Sequence, residues 1–256
     1  MDEPAGVVGV ADVPGAHGRY RERESRVAGA VLWTTTTGPS ARPVLPDGCT
    51  DLIWSAGRLL VAGPDTGPYH PDGVPSGTGY TGLRFAPGRG PAVFGVPAHE
   101  LRDRRVPLAD LWPAAQVREL TERAAERAAV RVPSGVGRVL EEVVGERLRQ
   151  GVPGPGGEAR TAAVAAALGR GRPVAEVAWA VALSERQLHR LSLDAFGYGP
   201  KTLARVLRFV RALGLARTGM PYAQVAVCAG YADQAHLARE VKSLAGAPMG
   251  ALLGSG

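Results

Sequence analysis

The 256-residue sequence predicts an α+β protein. Its N-terminal part reads as a small β-barrel or sandwich with two trailing helices, and its C-terminal part as all-α. Three observations carry this. Short apolar runs separated by Gly and Pro fill about Tyr20 to Asp110. Helical periodicity takes over from Leu108. Gly151-Val-Pro-Gly-Pro-Gly-Gly157 then interrupts the chain as a linker. The expected division is a disordered arm at 1–18, a β-rich sensor or dimerisation domain at 19–150, the linker at 151–157 and a helical domain at 158–256.

In the first domain the expected strands are Val27–Thr37, Asp51–Trp54, Arg58–Ala62, Gly82–Phe85 and Ala92–Val96, with Ser55-Ala-Gly57 as a tight hairpin. Leu108–Val130 and Ser134–Gln150 carry apolar residues at helical spacing. Pro133 parts them and Ser134 is placed to cap the second. These helices either close the β-domain or form a dimer seam.

In the helical domain one pattern occurs twice. Ala175-Glu-Val-Ala178, Leu183-Ser184-Glu-Arg-Gln-Leu188-His-Arg190 and Gly197 return as Ala223-Gln-Val-Ala226, Tyr231-Ala-Asp233-Gln-Ala-His-Leu237-Ala-Arg239 and Gly246. The offset is 48 residues before the turn and 49 after it. A repeat that gains its extra residue at a turn is two copies of one supersecondary unit, here helix-turn-helix. Ala175, Ala178 and Ala182 are small enough to let the next helix approach. Ser184 and Asp233 are expected caps of the two second helices. Leu188 and Leu191, then Leu237 and Val241, point inward. That leaves Arg186, Gln187, His189 and Arg190 on the first helix, and Gln234, His236, Arg239 and Lys242 on the second. Arg pairs bidentately with guanine and Gln with adenine, so these residue types suit base readout in a major groove. Between the units, Lys201–Arg217 reads as a connecting helix with a basic stripe at Arg205, Arg208 and Arg211. Such a helix would hold two readers about 34 Å apart, one turn of DNA.

The charge supports this. The net formal charge is +6, and from Glu158 onward there are 12 Lys+Arg against 6 Asp+Glu, while residues 1–157 hold 18 of each. The basic excess sits wholly on the part that contains the repeat, as expected when one module alone meets phosphates.

The segment from about Pro173 to Leu252 resembles the AraC/XylS-type transcriptional regulators. The matching stretches are Ser184–Arg190, Gly197-Tyr-Gly-Pro200, the linker helix with Arg208, and Gly230–Arg239. The resemblance implies an asymmetric double-stranded DNA site at a promoter or operator. It implies contacts from Arg186, His189 and Arg190 in the first unit, and from Gln234, Ala235, Ala238 and Arg239 in the second. Ser184, Gln187, Lys201, Arg208, Asp233, His236 and Lys242 complete the expected DNA-binding set. The sequence departs from the family at Ser192 and Val241, where aromatics are usual, at Ala232, and at a Gly246-Ala-Pro248 ending one residue short. Ala235 and Ala238 leave the second helix better suited to gripping the backbone than to specifying bases.

Residues Tyr20–Trp112 resemble the β-rich N-terminal domains joined to such regulators, through Leu45–Trp54, Gly63–Thr66, Gly82–Gly88 and Val106–Trp112. The resemblance implies a cupin-like barrel that binds a small-molecule effector, dimerises, or does both. Trp33, Asp51, Trp54, Arg84 and Phe85 are the candidate pocket residues. Core packing explains the three aromatics equally well, and a structural ion pair explains Asp51 and Arg84.

Enzyme chemistry finds no constellation. His17, His70 and His99 lack metal-ligand spacing, and there is no nucleophile elbow, phosphate loop or dinucleotide fingerprint. Cys49 and Cys228 form no Cys-x-x-Cys pair and read as free buried thiols. No segment approaches the about 18 apolar residues of a membrane span. The expectation is therefore a cytoplasmic regulator, activator or repressor, without cofactor, metal or membrane partner. RNA polymerase and a second copy are further candidate partners. An interaction adaptor with a degenerate helix-turn-helix, and an enzyme tethered to DNA, are the alternatives.

Overall fold

A computed structural model describes residues 20–38, 43–71, 73–130, 135–151 and 157–254. The expected arm at 1–18, the Pro133–Ser134 boundary and most of the 151–157 linker lie outside the described residues. The N-terminal region holds β1 (Arg21–Glu24), β2 (Ala30–Thr36), β3 (Thr50–Ser55), β4 (Arg58–Ala62) and β5 (Gly79–Phe85). After them come α1 (Gly90–Phe94), α2 (Ala98–Leu101), β6 (Arg105–Pro107), α3 (Ala114–Ala129) and α4 (Gly135–Arg149). The helical region holds α5 (Glu158–Gly169), α6 (Val174–Ala180), α7 (Glu185–Phe196), α8 (Pro200–Arg217), α9 (Tyr222–Ala229), α10 (Gln234–Ala245) and α11 (Met249–Leu253). The mixed class is as the sequence predicts.

The sheet is antiparallel in the order β1-β2-β5-β3-β4-β6 and is open, not a closed barrel. Its two edges explain why. β1 is four exposed charged residues, Arg-Glu-Arg-Glu, and β6 is three residues ending in Pro107. Charged and Pro-bearing edges resist further pairing. Neither short edge was legible as a strand. The β3–β4 hairpin turns at Ala56 and Gly57, with φ of 47° and 76°, the doubly positive geometry of a tight hairpin turn. Ala92–Val96 is the one expected strand that is wrong. Pro91 starts a helix there and Gly95, at φ 79°, ends it. A short apolar run has no period of its own to separate strand from buried helix.

One sheet face packs Leu32, Leu52, Trp54, Leu83 and Phe85 against Phe94 of α1, Leu120 of α3 and Leu140 of α4. Those two long helices thus close the domain, and the outward face of α3 is polar. A separate cluster joins α5 through α11 around Leu188, Leu203, Val206, Phe209, Leu213, Leu237 and Val241. On α8 the deeply buried side chains include Phe209, Ala212 and Ala216, whereas Leu207, Val210 and Leu215 are half-buried. Both cysteines are free, but only Cys49 is buried; Cys228 is exposed because its α9 position faces outward.

Candidate nucleic-acid interface

The two repeats fold as the same unit. Pro173 and Pro221 open α6 and α9, and Gly197 and Gly246 end α7 and α10 in the left-handed region. The turn residue is left-handed in both, Ala182 at φ 55° in the first and Gly230 at φ 83° in the second. Ala182 is therefore the turn itself and is exposed, not a packing contact for the next helix.

Ser184 caps α7 by accepting the Gln187 N–H at 3.2 Å, while Gln187 Oε1 accepts the Ser184 N–H at 2.9 Å. This reciprocal pair satisfies two orphan donors at the helix start. In the second unit Asp233 accepts the His236 N–H at 2.6 Å, and His236 Nδ1 accepts the Ala232 N–H at 3.3 Å. The His236 ring also stands edge-on to Tyr231, with centroids 5.3 Å apart. Four of the expected DNA-binding side chains, Ser184, Gln187, Asp233 and His236, are thus already spent on holding helix termini.

The others stand differently. Arg186, His189 and Arg190 are exposed on α7 and make no side-chain hydrogen bond or ion pair to a described residue. With Gln187 and Leu193 they line a shallow recess of about 280 Å³. Gln234, Arg239 and Lys242 on α10, and Lys201 at the start of α8, are likewise exposed and unpaired among the described residues.

The basic stripe does not stand free. Arg205 donates to Glu240 at 2.7 Å and to Ser243 at 2.8 Å. Arg208 lies over the Tyr231 ring at 4.7 Å and 3.9 Å from Glu240. Burial pushes the Tyr231 phenol up. Arg211 alone of the three is exposed. The stripe therefore ties α8 to the second unit, which periodicity could not reveal because Glu240 is 32 residues beyond Arg208.

Residues 177–254 match the model of a helix-turn-helix domain. The C-terminal region is an AraC-type helix-turn-helix domain. Such a domain places the chain among DNA-binding transcriptional regulators, and its family points to regulation rather than to an enzyme. Residues 30–107 match a domain of unknown function, DUF6597. No curated protein matches the sequence. Among solved structures, an apo point variant of ToxT from Vibrio cholerae strain SCE256 is similar at 11% identity and TM-score 0.46, covering 90% of this chain and 98% of that one. ToxT from Vibrio cholerae O395 is similar at 9% and 0.46, covering 89% and 98%. Among the described residues no helix is long and apolar enough to cross a membrane.

The AraC-type domain is held against the β-domain at the far end of α7. The Gly197 carbonyl accepts from Arg102 at 3.3 Å, and Asp194 lies 3.4 Å from His99. A Cβ at Gly197 would meet Pro64 at 2.6 Å, and one at Gly88 would meet Phe196 at 2.8 Å. Tyr198 is buried in this seam, close to Gly48. Burial raises its phenol pKa well above the usual value. Sequence reading missed the seam, because its residues lie in separate chain segments with no shared motif.

The five candidate pocket residues split between the two sheet faces. Trp54 and Phe85 are core. On the opposite face the Trp33 indole N–H donates to Asp51 at 2.6 Å, and Arg84 Nε sits 3.2 Å from Asp51 and 3.6 Å from Asp47. The Trp33 ring lies on Gly82 and leaves no room there for a Cβ. Burial would lower the Arg84 pKa, but Asp51 and Asp47 hold it well above the usual value. These groups pair with one another in a network across the sheet that leaves Arg84 Nη1 buried without a hydrogen-bond partner among the described residues.

Proposed function

We propose that the chain regulates transcription by binding a specific double-stranded DNA site with both helix-turn-helix units. In this reading α7 reads base edges through Arg186, His189 and Arg190. The second unit grips backbone through Gln234, Arg239 and Lys242, with Lys201 adding a phosphate contact. The observation that carries the reading is the pair of capped helices whose outward cations, with the Gln234 amide, have no partner among the described residues. A side chain that is exposed, cationic and uncommitted is available to a base or phosphate.

The N-terminal domain modulates binding through its seam with α7. An effector or a second copy that alters this domain would shift the position of the reading helix, and so its affinity. RNA polymerase contact and cytoplasmic action belong to the same reading. The adaptor reading has one observation in its favour. Trp179 and Val227, equivalent positions on α6 and α9, are 84% and 73% exposed.

Selection of genomic fragments by the purified chain, followed by salt titration, tests the proposal. Enriched fragments should share a motif, and affinity should fall steeply with salt as phosphate counterions are released. Salt-sensitive binding without enrichment would sink base reading and favour the adaptor.

A further inference from the structure

One recess lies away from α7 and α10. It is a groove of about 410 Å³ between the β1–β2 turn and α4, within the range of small-molecule sites. Arg26, Arg89, Arg138 and Arg149 line it, over an apolar floor that includes Val27 and Leu148.

The charges around it are unequally committed. Glu141 faces the groove, yet it already accepts from Arg23 at 2.8 Å, Ser25 at 2.9 Å and the Arg26 N–H at 3.0 Å. Burial would raise its carboxyl pKa, but those donors hold it below the usual range. Glu142 pairs with Arg123 at 2.9 Å. The guanidiniums of Arg26 and Arg138 have no such partner among the described residues. Arg149 has only an exposed pair with Glu146, which water screens.

Arg89 is the most informative of the four. Its side chain runs beneath Gly29, where a Cβ would come within 2.7 Å of it, and Gly29 adopts φ 68°. Its Nε is buried without a hydrogen-bond partner. Its other contact is Glu158, the first residue of α5, at 3.2 Å. One arginine thus faces both the groove and the helical domain.

We propose that this groove binds a small organic dianion, a phosphate monoester or a dicarboxylate, and that the ligand draws Arg89 away from Glu158. Planar guanidiniums pair both oxyanions bidentately, and the apolar floor accommodates a short carbon body. The ligand would thereby act on the junction between the two regions. This inference does not depend on DNA binding.

Isothermal titration of the full chain with phenyl phosphate, isophthalate and neutral phenol at low salt tests it. One or both dianions should saturate a single site while phenol does not, and their ranking distinguishes phosphate from dicarboxylate. The double variant R26A/R138A, altered only at exposed positions, should bind at least about tenfold more weakly. E158Q should bind severalfold more tightly, because Arg89 no longer has a competing carboxylate. No saturable binding of either dianion, or equal affinity in R26A/R138A, would overturn the site. Unchanged affinity in E158Q would overturn the displacement of Arg89.

Discussion

The two helix-turn-helix units share a backbone plan and spend their side chains differently. The first leaves Arg186, His189 and Arg190 open and is fastened by the end of α7 to the β-domain. The second presents Ala235 and Ala238 on its outer face and is fastened by Glu240 and Tyr231 to α8. A duplicated fold can thus commit its side chains unequally, and the copy with the open cations is the one that touches the β-domain. The difference lies in a few surface positions, on cores that share Leu188 and Leu237 at equivalent places.

The largest effect should show that likeness. Leu188 and Leu237 occupy equivalent positions, 0% and 2% exposed. Leu188→Ala and Leu237→Ala should each cost about 2–5 kcal/mol in urea unfolding. A loss seen in one unit alone would break the structural equivalence on which the comparison stands.

The next effect should expose the difference. Arg190→Ala should cost about 1–3 kcal/mol on the selected site and relax preference at one base position. Arg239→Ala should weaken all sequences alike and reduce the salt slope by about 1. Reversed behaviour in a competition assay across single-base variants would exchange the roles of the two units.

Backbone strain separates the units more finely. The turn that Gly230 makes without penalty is made by Ala182 at φ 55° in the first unit. A left-handed Ala costs about 1–2 kcal/mol, part of which the flexibility of Gly would return to the unfolded state. Ala182→Gly should therefore stabilise the chain by about 0.5–1 kcal/mol in thermal unfolding, and Gly230→Ala should destabilise it. A loss on Ala182→Gly would mean that the first turn is held by something its geometry does not show.

What was legible in the sequence follows from the range of the interactions involved. The repeat, both caps and the buried Leu188 and Leu237 could be read because caps and helical periods act within four residues. The stripe of Arg205 and Arg208 was legible as a stripe, but its partners come from another helix. β1 and β6 carry no apolar alternation, since an edge strand can be wholly charged. Barrel closure depended on whether those two edges met, and neither has the composition to pair further. The split of Trp54 and Phe85 from Trp33, Asp51 and Arg84 follows from strand alternation once the register is known. The dianion groove draws one arginine from a turn, one from α1's N-cap and two from α4, so no single stretch announces it.

The smallest effect lies inside the first unit's core. Ser192 and Val241 occupy equivalent positions, both 0% exposed. Val241 is apolar, whereas the Ser192 hydroxyl is buried without a hydrogen-bond partner. An unsatisfied buried hydroxyl carries its desolvation cost and returns little, so removing it should help despite one lost atom of packing. Ser192→Ala should raise stability by about 0.5 kcal/mol, read as a higher urea midpoint at unchanged slope. DNA affinity should not move, because Ser192 is fully buried and presents no atom to a partner. A lower midpoint would show that the hydroxyl has a partner, such as a buried water, and that the first unit depends on a polar core contact the second lacks.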